Sequence, residues 1–290
     1  MKAVVIGARR ARQGIGAFVA QALIDAGCEL VGVVGTSSET VREPAERFST
    51  RGFVQVSDAL SAANPDLVAI CSPIATHRDQ LELVANAGCH CLCDKPLWWD
   101  DGAENRASFT NSLVETYEQN GKYLGLLTQW PHALPAFYQL HPDLTAHAIE
   151  SFAMELGPIS TGAQAVLDSV SHPLSMLERL VGLAPVEDVR AELPLLSFTY
   201  GGVPVEITLT TTPEPPRPAG FAINGRWARR VVEPGYRLFL ADDERRVAMK
   251  DPMPLRVAEV VNAARAGLPP DRGALVTGMA NLERLMQAVE

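Results

Sequence analysis

Over the first 129 residues, apolar positions fall in short, nearly continuous runs separated by stretches with helical spacing. The runs "KAVVIG" (2–7), "ELVGVVG" (29–35), "DLVAICS" (66–72), "CHCLCDK" (89–95) and "YLGLLTQ" (123–129) predict strands. A strand that is apolar at successive positions belongs to a parallel sheet covered on both faces. "GFVQVS" (52–57) predicts a further edge strand, and helical patterns fall at 15–26, 38–50, 76–87 and 102–120. Strands alternating with helices imply right-handed crossovers. Residues 1–129 are therefore expected to form a Rossmann domain, a doubly wound parallel sheet of α/β class that binds a dinucleotide.

Beyond residue 129 the pattern turns to alternation. "AHAIESFAMEL" (146–156), "VRAELPLLSFTY" (189–200), "VPVEITLTTT" (203–212), "FAINGRWARRVVE" (221–233) and "YRLFLADDERRVAMK" (236–250) predict antiparallel strands. Asn224-Gly225 and Asp242-Asp243 have the composition of hairpin turns. Two amphipathic helices, 252–266 and 273–289, close the chain. Residues 130–290 are thus expected to form a C-terminal α+β domain with a mainly antiparallel sheet, for substrate binding and oligomerisation. The proline-rich "TPEPPRPAG" (212–220) predicts an extended linker.

Composition narrows the class. Hydrophobic residues make up 47% and charged residues 20%, as in soluble globular proteins. A net charge of −9, with no basic tract, argues against nucleic acid. Five cysteines without disulfide-like spacing suggest a reducing compartment. No apolar run approaches the roughly 18–20 residues of a membrane span. Nor does the start resemble a signal peptide. The expectation is a cytoplasmic protein acting on a small molecule.

The first strand runs into "GARRARQGIG". Glycines at this turn let the backbone approach a pyrophosphate at the helix N-terminus. Gly7, Gly14, Ile15 and Gly16 are the candidates, on a loop longer than the usual G-x-G-x-x-G. After the second strand stand Gly35, Thr36 and Ser37, where an enzyme using NAD commonly has a carboxylate for the ribose. Small hydroxyls there, with Arg9, Arg10 and Arg12 in the loop or Arg42 on the next helix, favour a 2′-phosphate. NADP(H) is expected over NAD(H).

"CHCLCDKP" (89–96) has the density of a metal site but not its spacing. Structural zinc is usually wrapped by cysteines two to four residues apart. Period-two spacing instead puts Cys89, Cys91 and Cys93 on one face of a strand, with His90 and Leu92 on the other. Cys28 and Cys71 lie apart in apolar runs, so no metal is expected. Attention moves to Asp94-Lys95-Pro96, a charged pair at the carboxyl end of a buried strand, where α/β proteins place their chemistry.

The run "AICSPIATHRDQLELVANAGCHCLCDKPL" (69–97) resembles the Gfo/Idh/MocA oxidoreductases: a strand ending in Ser72-Pro73, then His77, a helix, and a strand ending in Asp94-Lys95-Pro96. In that family the last triplet is usually Glu-Lys-Pro. "VLDSVSHPLSMLERLVG" (166–182) resembles the later Asp-x-x-x-His motif, with Asp168 and His172. The resemblance implies an NAD(P)-dependent oxidoreductase moving hydride between nicotinamide and a carbonyl, alcohol or imine. It implies His172 as acid/base, Asp168 as its partner and Lys95 as third catalytic member. It also implies cofactor contacts from Ser72, Pro73, His77, Asp94, Lys95 and Pro96. Pro173 requires the helix to start or kink beside His172.

Gln129 and Trp130 follow the last Rossmann strand, with His132 close behind, and Trp99 follows Lys-Pro; Gln129, Trp130 and Trp99 are candidate substrate residues. At 290 residues the chain is shorter than most of the family, which implies a trimmed substrate domain and counts against sugars and cyclitols. A homo-oligomer through the C-terminal sheet is a further implication. "GARRARQGIG" also resembles the short-chain dehydrogenase loop, but no tyrosine has lysine four residues on. The reading from another class is a non-catalytic nucleotide-binding sensor on the same fold.

Overall fold

The computed structural model describes residues 1–9, 14–146 and 148–289. They divide into two compact units, Met1–Leu127 with Met253–Val276, and Thr128–Pro252 with Thr277–Glu290.

In the first unit the order is β1 (Lys2–Ile6), α1 (Gly16–Asp25), β2 (Glu29–Val34), α2 (Ser38–Arg47), β3 (Gly52–Phe53), α3 (Val56–Ala63), β4 (Leu67–Ile70), α4 (His77–Asn86), β5 (His90–Cys93), α5 (Arg106–Gln119) and β6 (Leu124–Leu126). All six strands are parallel, in the spatial order β3-β2-β1-β4-β5-β6. The order reverses between β1 and β4, the switch point where such sheets bind ligands. β4 and β5 are buried at every position, as their unbroken apolar runs require.

The expected edge strand 52–57 is two residues long, and α3 follows at once. Asp58 in the first helical turn suits the helix dipole. Ala59 and Ala63, four residues apart, bury one face while Val54 stays exposed. Helical spacing outweighs the strand propensity of "VQVS".

The second unit begins with α6 (Leu134–Leu140), β7 (Phe152–Leu156), α7 (Gly162–Ser169) and α8 (Ser171–Val181). Seven strands follow: β8 (Val186–Glu192), β9 (Leu195–Tyr200), β10 (Val203–Leu209), β11 (Ala219–Ile223), β12 (Arg226–Glu233), β13 (Arg237–Ala241) and β14 (Arg246–Met249). With β7 they form one sheet in the order β14-β13-β12-β11-β7-β10-β9-β8, antiparallel except for β10 on β7. Residues 189–200, expected as one strand, are two, parted at Leu193-Pro194. Proline has no N–H to donate to a ladder. The Asn224-Gly225 and Asp242-Asp243 turns stand where expected. Phe221, Phe152, Phe137 and Trp130 pack ring against ring at the centre.

The chain closes with α9 (Pro252–Arg265) and α10 (Arg272–Gln287). α9, which the sequence pattern placed with the second domain, belongs to the first. Val257, Val260, Val261 and Ala264 join the core formed by Ala3, Val5, Val19, Leu23 and Ala69. Arg256 donates to the Leu126 carbonyl at 2.9 Å and Arg265 to that of Gly27 at 2.9 Å. An amphipathic pattern reports that a helix has an apolar face, not which surface covers it. α10 ends in the second unit, where Asn281 accepts from the Val186 amide and donates to the Ala184 carbonyl. No described helix is long and apolar enough to cross a membrane.

Candidate active site

The glycine turn is built by close backbone approach. Gly7 has φ +81°, the left-handed region, and its amide donates to the Val34 carbonyl at 2.9 Å. A Cβ on Gly7 would lie 2.7 Å from the Cys71 carbonyl oxygen, and one on Gly16 only 2.1 Å from that of Gly7. α1 therefore starts directly against the ends of β1 and β4. Ile15 stands at its N-cap without a side-chain hydrogen bond, and the first turn holds no acid. The Phe18 and Val19 amides donate to the Ile15 carbonyl, and the positive end of the helix dipole faces the glycine turn. This arrangement fits a dinucleotide pyrophosphate. Arg9 is exposed beside the turn, whereas Arg10 and Arg12 lie outside the described residues.

At the end of β2, Ser37 caps α2. Its hydroxyl accepts from the Thr40 amide at 3.2 Å, and the Thr40 hydroxyl accepts from the Ser37 amide at 2.9 Å. This is a capping box with threonine in the place usually held by Glu or Gln. Thr36, Glu39 and Arg42 are exposed around it.

The turns after β4 and β5 form the next layer. The Ser72 hydroxyl donates to Gln80 Oε1 at 2.6 Å, and the Thr76 hydroxyl donates to the Pro73 carbonyl at 2.8 Å. The Asp94 amide donates to the Ile70 carbonyl at 2.8 Å, and its carboxylate accepts from the Lys95 amide at 2.8 Å. Lys95-Pro96 is cis. Lys95 is partly buried at this turn. Burial raises the Cys71 and Cys93 thiols well above their usual range, and the Asp94 charge adds to both. His77, the first residue of α4, is 1% exposed, with both ring nitrogens against backbone carbonyls.

The two tryptophans differ. Trp98 is fully buried, donates to the Thr110 hydroxyl at 2.9 Å and meets Phe109 edge-on. Trp99 donates to Asp101 at 2.7 Å, with the Arg106 guanidinium 4.1 Å from its ring centroid. Both therefore have packing roles; nothing in the spacing marked Arg106 as the support of Trp99.

The cysteine-rich strand alternates as its spacing predicts. The Cys89 thiol donates to the Pro65 carbonyl at 3.2 Å. Cys91 is hydrogen-bonded with Tyr117, and burial pushes its thiol up to about 12. His90, between them in sequence, accepts from the Tyr123 amide at 2.9 Å. Among the described residues, no three His, Cys, Asp or Glu side chains are grouped to hold a metal ion.

In the second unit, α7 ends at Ser169 and α8 begins at Ser171, with Val170 shared between them. The break falls between Asp168 and His172, and Pro173 sits in the first turn of α8, where its missing N–H costs no helical bond. Both Asp168 oxygens accept hydrogen bonds, from Ser160 at 2.5 Å and Gln164 at 2.7 Å. Neither was among the residues expected from sequence; Gln164 stands one helical turn before Asp168, a spacing that could have marked it, whereas Ser160 lies across a loop. His172 is half-buried, and its carbonyl accepts from the Ser175 hydroxyl at 2.8 Å. Trp130 is buried, with Phe221 edge-on and the Arg230 guanidinium 6.0 Å from its ring centroid. Gln129 precedes the 3-10 turn Trp130–Ala133 at its N-cap position, without a side-chain capping bond. Burial lowers Arg230, with Tyr236 and Asp251 opposing.

Residues 1–125 match the model of the oxidoreductase family with an NAD-binding Rossmann fold. Over these residues the chain matches the Gfo/Idh/MocA family. A UDP-N-acetylglucosamine 3-dehydrogenase from Acidithiobacillus ferrooxidans is 29% identical over 173 residues, 56% of this chain and 50% of that one. The sequence match thus spans half the length of that curated relative. The solved structure of the same enzyme superposes with TM-score 0.73 at 24% identity, covering 100% of this chain and 98% of that one. GenD2 of gentamicin A biosynthesis, solved with NAD, gives TM-score 0.77 at 16% identity over 100% and 94% of the two chains. A variant of a 3-ketoreductase from Actinomadura kijaniata, solved with TDP-benzene and NADP, gives 0.75 at 17% over 100% and 96%. Within this one fold, both cofactors are found.

Proposed function

We propose that this chain is an NAD(P)-dependent oxidoreductase that moves hydride between nicotinamide and a secondary carbinol of a sugar or related polyol. The observation that carries the reading is the turn after β5. It presents a lysine at the carboxyl end of a buried strand, with its amide held by Asp94 at 2.8 Å and followed by Pro96. It stands in the same unit as a glycine turn that fits a pyrophosphate. The carbohydrate class is supported by the A. ferrooxidans relative, whose name specifies oxidation at a sugar 3-position.

Bound NAD(P) would supply the hydride acceptor or donor. Removing hydride from a carbinol leaves its hydroxyl proton to be taken up by a base. In this reading the bases proposed for that proton are His172, with Asp168 as its partner, and Lys95. Ser160 and Gln164 fix the Asp168 carboxylate. Gly7, Gly14, Ile15 and Gly16 hold the pyrophosphate; Ser72, Pro73 and Asp94–Pro96 line the nicotinamide side; Gln129 approaches substrate.

NADP(H) preference belongs to the proposal, supported by the absence of a carboxylate at Gly35-Thr36-Ser37 and by exposed Arg9 and Arg42. So does a homo-oligomer through the eight-stranded sheet, which sedimentation would reveal as a mass at least twice that of the chain.

The test is fluorescence titration with NADPH and NADH, followed by oxidation of UDP-N-acetylglucosamine and methyl glucosides. Lys95→Ala should lower turnover by about 10²–10⁴-fold while nucleotide affinity stays within about threefold. Collapse of nucleotide binding instead would make Lys95 a binding residue and remove its catalytic role.

A further inference from the structure

His77 is the least expected buried polar group near Lys95. It is 1% exposed, and its ring lies between two turns of the first unit. Nε2 is 2.8 Å from the Ser72 carbonyl, which ends the β4 side. Nδ1 is 3.1 Å from the Leu97 carbonyl and 3.2 Å from that of Pro96, on the turn that carries Lys95. The Cys93 sulfur completes the surround, 3.5 Å from Nδ1 and 3.4 Å from the Leu97 carbonyl.

Hydrogen-bond accounting decides the roles. A carbonyl only accepts, so Nε2 must donate to Ser72. A neutral ring then has no proton left for Nδ1, which faces two further acceptors. Cys93 is the donor available to it, because burial keeps that thiol protonated. Where Nδ1 also carries a proton, it donates to Leu97 or Pro96 and the thiol turns to the Leu97 carbonyl. The first arrangement ties the Ser72-Pro73 turn to the end of β5 through Cys93, and the second ties it to the Lys95-Pro96 turn directly.

We propose that His77, with Cys93 completing its hydrogen bonds, is a positioning residue: a buried clamp that sets the Lys95 turn without contact with substrate or cofactor. The inference rests on the reading of Lys95 as the working amine. It assigns His77 a structural cause that the cofactor-contact expectation did not contain.

Two amides separate the links. Asn at this position carries its NH₂ at the place of Nδ1 and can hold the Lys95-Pro96-Leu97 side. Gln carries it near the place of Nε2 and can hold the Ser72 side. Leu holds neither. Competitive acetylation of lysine amines in the full chain, read by peptide mass spectrometry, reports the setting of Lys95 with no substrate required. His77→Leu should change the Lys95 rate by about threefold to tenfold, the scale of one lost buried hydrogen bond. His77→Asn should restore it, whereas His77→Gln should not, with Lys2 and Lys250 unchanged in all three. In the wild type, ¹⁵N NMR of the imidazole should show a protonated Nε2.

An unprotonated Nε2 overturns the clamp. So does equal Lys95 reactivity in the wild type and all three variants, or the same change in Asn and Gln variants, each in folded protein. These outcomes leave the oxidoreductase reading standing. Failure of wild-type protein to bind NADH or NADPH would instead remove that reading and leave the clamp testable as it is.

Discussion

The turn after β5 and the junction of α7 with α8 both offer charged groups for proton transfer, and they are held by different means. Around Lys95 each support has a backbone group on at least one side: the Ile70 carbonyl under Asp94, the Lys95 amide on the Asp94 carboxylate, and the carbonyls that engage His77. Around Asp168 the supports are side chains, Ser160 on one oxygen and Gln164 on the other. A backbone-built site fails by steric intrusion, because carbonyls cannot move without the strand. A side-chain-built site fails by losing orientation while the fold persists. Substitutions in the two places should therefore separate stability from turnover in opposite ways.

The largest effect on stability should come from Gly16→Ala. Its Cβ would meet the Gly7 carbonyl oxygen at 2.1 Å, and backbone on both sides leaves no flexible side chain to yield. Overpacking of this kind costs about 1–3 kcal/mol, or roughly 3–10 °C in Tm for a unit of this size. Because α1 must shift, NADH and NADPH binding should weaken together, by more than tenfold. A melt within about 1 °C of wild type with nucleotide affinity intact would show that the β1–α1 approach is looser than the geometry requires.

The counterpart is Ser160→Ala. The Asp168 carboxylate is partly exposed, and water can replace the lost donor, so stability should change by less than about 1 kcal/mol. Turnover should fall by about tenfold because Asp168 loses one of the bonds that aims it. Gln164→Ala should do the same more weakly, since Gln164 is exposed and its bond has water as a ready competitor. A Ser160→Ala protein with unchanged kcat and a lowered Tm would reverse the assignment and make the pair an ordinary helix tie.

What the sequence disclosed follows the same division. The parallel sheet was legible because β1, β2, β4, β5 and β6 are apolar at successive positions and the intervening helices are periodic. Lys95 drew attention as a charged residue at the end of a buried strand, and its proposed role came from the family resemblance. Asp168 and His172 were found only through family resemblance, and the break between α7 and α8 was foreshadowed by Pro173 alone. The position of α9 was not legible, since its apolar stripe fits any apolar surface. α3 was hidden by β-branched Val54 and Val56, which favour a strand until burial of Ala59 and Ala63 decides the matter. The His77 arrangement was invisible for another reason. Its partners, Ser72, Pro96 and Leu97, come together only when β4 and β5 lie side by side.

β5 itself allows the comparison to be sharpened on the smallest scale. One face of this strand carries thiols that burial keeps protonated, with Cys91 pushed up to about 12, so they do not respond to neutral or acidic pH. The other face carries His90, whose Nδ1 accepts from the Tyr123 amide and must be unprotonated to do so. Burial, with nearby Lys122 adding and Asp66 opposing, lowers this imidazole below its ordinary 6.5. The unfolded chain then binds a proton that the folded chain refuses. His90 therefore contributes full stability above 6.5 and loses it as pH falls below that value towards its folded pKa. His90→Asn retains an acceptor for the Tyr123 amide and cannot titrate. Between pH 7 and pH 5, the urea midpoint of the variant should fall less than that of the wild type, by an amount equivalent to less than about 1 kcal/mol. Parallel pH dependence in the two proteins would mean that His90 takes up its proton without releasing Tyr123. In that case β5 would be held by its thiol face and its parallel neighbours, and the backbone-built character of the Lys95 turn would rest on β4 and His77 alone.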